Sequence, residues 1–456
     1  MPATRELAGT IGLNRTTITA AYNLLEAEGL IRSHVGRGSF ISGGPEAPAP
    51  VVRWHDLFVS REPEPQSYPM TSGDAPVASF ATSRPAEELF PLDEMRRLLA
   101  EVMAASAVEI LQLGSPGGYP PLRRYLMAEA ASSGSVSAGD DVMVTSGCQQ
   151  AIDLLQRVLV GAGDAVAVED PVYPGVHHAL ARAGARLTGV PVGQDGLDLD
   201  RLEQVLARER PKLLIVTPDF QNPTGATLPL EARERLLRLA LDAGTVVAEN
   251  AIYSGLRYEG TDVPSLKQLG AGGNVIQLRS FSKVAFPGLR VGWVVGPRPV
   301  ISKLVEAKQW SDLHTDQLSQ ALLCRFAESG RLEEHRKRVV AGGRRRLEAA
   351  LAACERCLPG GVSFTRPQGG MSLWVDLPAP LDTAELLPRA AVEGVTYLPG
   401  RYFAVSRPHT GGLRLSFGGI APERITKGIS ILGALFRTEL GRMREPAGLD
   451  TAPAIV

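Results

Sequence analysis

"KLLIVTPDFQNPTG", Lys212–Gly225, carries four apolar residues in a row after its lysine and then breaks into turn formers. A short unbroken apolar run closed by prolines and a glycine reads as a strand buried on both faces. The next stretch, "PLEARERLLRLALDAG" (229–244), carries its apolar residues at helical spacing. The same pairing recurs along the chain. "DVMVTSG" (141–147), "DAVAVEDP" (164–171), "GTVVAEN" (244–250), "NVIQLRS" (274–280) and "VGWVVGP" (291–297) are further apolar runs, and "QQAIDLLQRVLV" (149–160) is a helix between two of them. That alternation predicts an α/β domain built on a largely parallel sheet. Polar residues gather just past the strand ends, where open sheets of this kind bind ligands.

Outward from this core the chain changes character. Residues 1–44 read as helix, turn, helix and small hairpin, a winged helix-turn-helix pattern: Asn14 caps the second helix, Gly29 ends it, and Gly36–Gly38 form the hairpin tip. Residues 45–78 include "PEAPAPVVRW" and "REPEPQSYP", whose prolines predict an extended linker. The α/β domain spans 79–344, a smaller C-terminal α+β lobe spans 345–440, and 441–456 form a tail.

With 456 residues the chain is long enough for two or three domains. Its net charge of -1 excludes a global basic field of the kind that coats nucleic acid or membrane surfaces. No apolar run approaches the roughly 20 residues needed to span a bilayer, and "MPATRELAGT" has no signal-peptide pattern. Four cysteines make no disulfide framework, so a reducing cytoplasm is expected. Cys354 and Cys357 form a lone C-x-x-C and read as two thiols near a helix end, so no metal is expected.

The chemistry concentrates on "SFSKVAFPGLR", 280–290. Lysine is scarce in this chain, and Lys283 stands between two serines and an arginine. Burial and nearby cations lower an amine's pKa and free it to form a Schiff base with a carbonyl. Ser280, Ser282 and Arg290 suit a phosphate. A cofactor with both an aldehyde and a phosphate, such as pyridoxal phosphate, would satisfy the whole stretch. Other strand ends add to it. Ser146, Gly147, Cys148 and Gln149 open a helix, whose free N–H groups attract an anion. Tyr173 in "EDPVYPG" can stack on a ring, and Asn222 and Tyr253 can hydrogen-bond a ring hydroxyl. Arg414 in "GGLRLSF" can clamp a carboxylate. Each residue alone also fits a structural role as cap, core tyrosine, turn asparagine or surface arginine.

Taken in order, "SGCQQ", "EDPVYPG", "TPDFQNPTG", "ENAIY", "SFSK", "PGLRVGW" and "GGLRLSF" resemble the aspartate-aminotransferase (fold type I) superfamily of pyridoxal phosphate enzymes, over roughly residues 80–435. The first forty residues resemble the GntR-type winged helix, and the two together are similar to the MocR subgroup of regulators. The resemblance implies that Lys283 carries the cofactor as a Schiff base. Ser280, Ser282, Arg290 and the Gly147–Gln149 turn would hold the phosphate, and Tyr173 would stack on the ring. Asn222 and Tyr253 would face the 3′-oxygen, and Arg414 would take the substrate α-carboxylate. It also implies a homodimer.

The sequence departs from that pattern in four places. Where relatives carry an aspartate for the pyridine nitrogen, this chain has Asn250, beside Glu249. An amide cannot stabilise a ring cation as an anion does. Leu113 stands where relatives commonly have a tyrosine that reaches the partner's phosphate. In "ATSRPAEELFP" Ser83 replaces a glycine, and Arg84 adds a cation that could meet a substrate acid, though a surface role suits it equally. Lastly, GntR-type domains have a further helix before the "PATREL" region, so the remaining two helices are expected to leave apolar faces open. Residues 1–44 hold four arginines, three glutamates and no lysine, few partners for DNA phosphates. Either the true start lies upstream or the winged helix is a remnant.

Three functions are therefore set against one another. Transamination of an amino acid leads. A pyridoxal phosphate lyase, decarboxylase or C–C or C–S bond-forming enzyme is second, motivated by Asn250 and Leu113. A MocR-like regulator with a pyridoxal phosphate effector domain is third.

Overall fold

The computed structural model describes residues 1–34, 36–42, 77–270 and 273–444. It separates into two compact units, 1–66 and 67–456. The expected linker, 45–78, lies outside the described residues except for its last two positions, and so does the tail from 445 onward.

In the first unit α1 (Thr4–Ile11) and α2 (Arg15–Ala27) precede a hairpin of β1 (Ile31–His34) and β2 (Gly38–Ile41). Asn14 caps α2 by accepting from the Thr16 N–H. The core is small, with Ile18, Tyr22 and Ile31 buried. Ile11, Leu13, Leu24, Leu30 and Phe40 are exposed among the described residues of this unit.

The second unit begins with α3 (Leu92–Ile110) and α4 (Pro120–Ser132). Then come β3 (Asp140–Thr145), α5 (Cys148–Leu159), β4 (Ala165–Asp170), α6 (Pro174–Arg182), β5 (Arg186–Gly193), β6 (Gly196–Leu197) and α7 (Leu199–Glu209). The layer is completed by β7 (Leu213–Val216), α8 (Leu230–Asp242), β8 (Val246–Asn250), β9 (Val275–Ser280) and β10 (Gly292–Pro297). Helices α9 (Arg298–Asp312), α10 (Gln317–Glu328) and α11 (Arg331–Cys357) follow. The sheet order is β3-β10-β9-β8-β7-β4-β5-β6. Strands β9, β8, β7, β4 and β5 run parallel, while β10 is antiparallel to both of its neighbours.

Both faces of this sheet are covered, which is why its strands read as continuous apolar runs. Val166 and Val168 of β4 point toward Ile152 and Leu155 of α5, Leu180 of α6 and Leu304 of α9. Ala167 between them points to the opposite face, where Leu202 and Leu206 of α7 and Leu236 of α8 pack. Each such fully buried aliphatic side chain contributes about 1.5–3 kcal/mol.

The C-terminal lobe contains β11 (Ser363–Phe364), β12 (Ser372–Asp376), α12 (Thr383–Val392), β13 (Leu398–Pro399), β14 (Gly412–Ser416) and α13 (Pro422–Arg444). Its antiparallel sheet has the order β11-β12-β14-β13. Helix α11 runs through the expected boundary at 344/345, and its Val339, Leu347 and Ala350 pack into this lobe's core. Ala78 and Ser79 also belong to it, paired in parallel with Val395 and Thr396.

Candidate active site

The C-terminal ends of the parallel strands converge on one cavity of about 390 Å³. Its wall includes Cys148 and Gln149 after β3, Tyr173 after β4 and Asn222 after β7. Asn250 comes from the end of β8, Tyr253 from the turn beyond it, and Ser282, Lys283 and Arg290 from the turn between β9 and β10. Arg414 arrives from β14, across the cleft between the sheet and the small lobe.

Lys283 sits at the centre. Its Nζ donates to the Ser83 carbonyl at 2.5 Å and lies 5.9 Å from the centre of the Tyr253 ring. Burial, reinforced by the Arg414 and Arg290 guanidiniums, lowers its amine from 10.5 to about 8. Cys148 is pushed the other way by burial, up to about 12, so its thiol stays protonated.

One end of the cavity is built for an anion. Helix α5 starts at Gly147, and its first turn faces the wall through Cys148 and Gln149. Arg290 lies on the rim and donates to Ser282 Oγ at 3.3 Å, to the Pro287 carbonyl at 3.2 Å and to the Ser146 carbonyl at 3.4 Å. Gly147 has φ 86°, and a Cβ there would run into the Arg290 guanidinium. Two of the expected phosphate ligands sit behind the wall. Ser280 Oγ lies 2.9 Å from Ser282 Oγ and accepts from the Ser282 N–H at 3.0 Å, so it orients the serine that does line the cavity. Ser146 Oγ is 3.2 Å from Thr315 Oγ1, and its backbone N–H donates to Gln150 Oε1 at 2.7 Å.

A second guanidinium, Arg414, reaches the wall from the small lobe. Arg414 is buried and donates to Asn222 Oδ1 at 3.1 Å and to the Ala81 carbonyl. The Tyr253 hydroxyl lies beside the Ser83 and Asn222 side chains, and burial raises its pKa. Arg414, Asn222 and Tyr253 thus share the cavity wall.

Arg84 does not join them. Its side chain is 57% exposed and pairs with Glu87 at 2.9 Å, outside the cavity wall. Glu249 also faces away from Asn250, as neighbours on a strand must. It accepts from the Leu266 N–H at 2.8 Å, the Lys267 N–H at 3.0 Å and Gln277 Nε2 at 2.9 Å. Leu113 is exposed outside the cavity.

Some wall residues carry no motif signal. Ser83 lies 200 residues from the lysine whose amine it holds, and only its departure from the family pattern drew notice to it. Ile252, Pro287 and Leu398 contribute apolar wall with nothing in their local sequence to mark them. Behind α5, the fully buried Lys308 bonds Asp312 at 2.6 Å and Gln150 Oε1 at 3.0 Å, bracing the turn that Ser146 begins.

A phosphorylated pyridine aldehyde fits this donor set. The glycine at 147 leaves room beside Arg290, Lys283 offers an amine of lowered pKa, and Asn250 carries a buried Oδ1 with no hydrogen-bond partner on this wall. Lys283 would bind the aldehyde, Arg290, Ser282 and the α5 N-terminus the phosphate, and Tyr173, Asn222, Asn250 and Tyr253 the ring.

Comparison with known proteins gives the same result. The family model "Aminotransferase class I and II" matches residues 81–432, and "Bacterial regulatory proteins, gntR family" matches 1–41. A 2-aminoadipate transaminase of Thermus thermophilus is 40% identical over 360 residues, 78% of this chain and 89% of that protein. The HTH-type transcriptional regulator TauR of Rhodobacter capsulatus is 30% identical, over 96% of this chain and 92% of its own length. Among solved structures, the α-aminoadipate aminotransferase LysN of Thermus thermophilus, complexed with N-(5′-phosphopyridoxyl)-L-leucine, superposes with a TM-score of 0.77 at 38% identity, covering 81% of this chain and 94% of that one. Pyridoxal phosphate is accordingly the cofactor, and no helix among the described residues is long and apolar enough to cross a membrane. A fold type I sheet with its strand ends gathered round one lysine, and a sequence match over most of its length, place this chain in the class I and II aminotransferases, with a GntR-type segment at its amino end.

Proposed function

We propose that this enzyme transaminates an α-amino acid whose carboxylate is held by Arg414. The observation that carries the reading is the Lys283 amine, brought to about 8 in a cavity that it shares with Arg290 and Arg414. Near neutral pH about a tenth of such amines are unprotonated, against fewer than one in a thousand for an ordinary lysine. Pyridoxal phosphate supplies an aldehyde carbon and a conjugated ring that accepts electrons. Arg290, Ser282 and the first N–H groups of α5 bind its phosphate and fix its position. Tyr173 would cover a ring face, and Asn222 and Tyr253 would hold the ring oxygen. Arg414 sets the substrate so that its α C–H points at Lys283, and Lys283 Nζ takes and returns that proton.

Borohydride reduction in the presence of the cofactor, followed by peptide mapping, tests the site, and ketoacid formation from a panel of amino acids tests the reaction. An unmodified Lys283 would overturn the cofactor assignment. A side-chain leaving group or carbon dioxide in place of ketoacid would favour the lyase or decarboxylase reading.

The match of residues 1–41 to the gntR family supports a second reading, in which the same site serves a DNA-binding regulator. Salt-dependent binding to duplex DNA, altered by the amino acid, would favour it. We also place the protein in the cytoplasm as a homodimer. Its four cysteines are free, as a reducing compartment requires. Leu111 and Leu113 after α3 line a cleft with Leu318 of α10, and the nearby Leu313 and Trp310 of the α9 end are exposed, which leaves an apolar surface for a second copy.

A further inference from the structure

We propose that Asn250 meets the ring nitrogen of the bound cofactor as a neutral partner, so that this nitrogen stays unprotonated and α-proton removal is slow. The inference rests on the cofactor reading above and concerns what this chain does to the ring.

Asn250 ends β8 and is buried at the cavity wall. Among the described residues its Oδ1 is buried and has no hydrogen-bond partner, so the amide keeps unused hydrogen-bonding capacity at this wall. The nearest carboxylate in sequence, Glu249, points to the other face of the sheet, where three donors hold it. Among the described residues no aspartate or glutamate lines the cavity, whereas Lys283, Arg290 and Arg414 all do. A proton on a ring nitrogen would add a positive charge beside the Arg290 and Arg414 guanidiniums, on a wall that provides no side-chain anion among the described residues. In a buried site such a charge is strongly disfavoured.

An amide suits the neutral ring instead. Its NH2 end can donate to an unprotonated pyridine nitrogen, and the two ends of the group exchange by a simple flip, so the ligand decides which one faces it. The consequence follows from where the electrons go. On breaking of the α C–H bond, Lys283 Nζ would take the proton, and the bound cofactor would supply the ring that accepts the electron pair. With its ring nitrogen unprotonated the cofactor would accept that pair less readily, and the barrier would rise. Asn250 therefore lets the site bind an amino acid while restraining its turnover.

The test uses full-length apoenzyme reconstituted with pyridoxal phosphate labelled with nitrogen-15 in the ring. Nitrogen NMR of the wild-type complex should give a pyridine-type shift. Asn250→Asp should give a pyridinium-type shift and raise the rate of α-hydrogen exchange from a deuterated amino acid by about tenfold, roughly the effect of one pK unit of stabilisation. A pyridinium-type shift in the wild type would overturn the proposal, even if the variant fails to fold. Peptide mapping after borohydride separates the two ways of failing. Label fixed at Lys283 with a pyridinium shift defeats only this inference, whereas no label at Lys283 defeats the cofactor assignment beneath it.

Discussion

Burial acts in the same direction on two basic side chains, Lys283 and His335. For Lys283 the result is chemistry, an amine free to react near neutral pH. For His335 it is a stability term. The imidazole lies in α11, fully buried, stacked at 5.5 Å on Phe286 and edge-on to Phe326, with no partner for either ring nitrogen among the described residues. Burial, helped by Arg338, lowers it from 6.5 to about 4. The folded state therefore binds fewer protons than the unfolded chain between those values. The contribution of the neutral ring is complete above pH 6.5 and is lost as pH falls toward 4, at up to about 1.4 kcal/mol per pH unit. His335→Leu removes that slope. Melting temperature measured at pH 7 and pH 5 should fall clearly in the wild type and much less in the variant, and equal falls would contradict the assignment. The His335 environment is not readable from the sequence around it, because "EEHRKR" looks like a solvated helix.

At the scale of elements, the strands were legible because the sheet is covered on both faces, so that runs such as "KLLIVTP" stay apolar throughout. The functional turns were legible where the strand ends supply side chains to the wall directly, as at Asn222, Asn250 and Lys283. Spacing could not separate the wall from the layer behind it. Ser280 and Ser282 look equivalent in "SFSK", yet only Ser282 reaches the cavity, since Ser280 is held at the end of β9 by its bonds to Ser282 and to the Val291 carbonyl. The start of α5 is the most exacting of these turns. Gly147 combines a backbone conformation that other residues resist with direct contact to Arg290. Gly147→Ala should displace the guanidinium and strain the first turn. Cofactor affinity of the apoenzyme, titrated by absorbance, should weaken at least tenfold, the effect of about 1.4 kcal/mol. An unchanged affinity would mean that Arg290 does not hold the phosphate.

On the scale of the whole molecule, the site exists only because two lobes meet, and that meeting is what the sequence reading placed least well. The expected boundary at 344/345 falls inside the continuous helix α11, whose apolar stripe belongs to the small lobe. A helix can be recognised from its period, but the lobe against which its stripe packs cannot. The tie between the lobes was equally hidden in "EDPVYPG". Asp170, at the end of β4, accepts from the backbone N–H groups of Val405, Ser406 and Arg407 at 3.2, 3.0 and 3.1 Å, and lies 2.8 Å from His409 Nε2. Burial alone would raise its pKa, but the His409 bond and the loop amides outweigh that and hold it below the ordinary carboxylate value. The tie is therefore intact near neutral pH and weakens only as strong acid protonates the carboxyl. The same strand end leads to Tyr173 on the cavity wall, and the Val172 N–H donates to the Phe403 carbonyl, so the loop from 403 to 409 is fastened beside that wall. Asp170→Asn keeps the size and removes the charge on which three amides converge, a loss of about 1.5–3 kcal/mol for charged hydrogen bonds. The loop should then open more often, with faster proteolysis near Arg407 and an amino-acid KM raised about tenfold. Reduction of the cofactor onto Lys283 should be retained, because none of its phosphate ligands is touched. A KM equal to that of the wild type, with the same proteolysis rate, would show that the lobes are held together without Asp170.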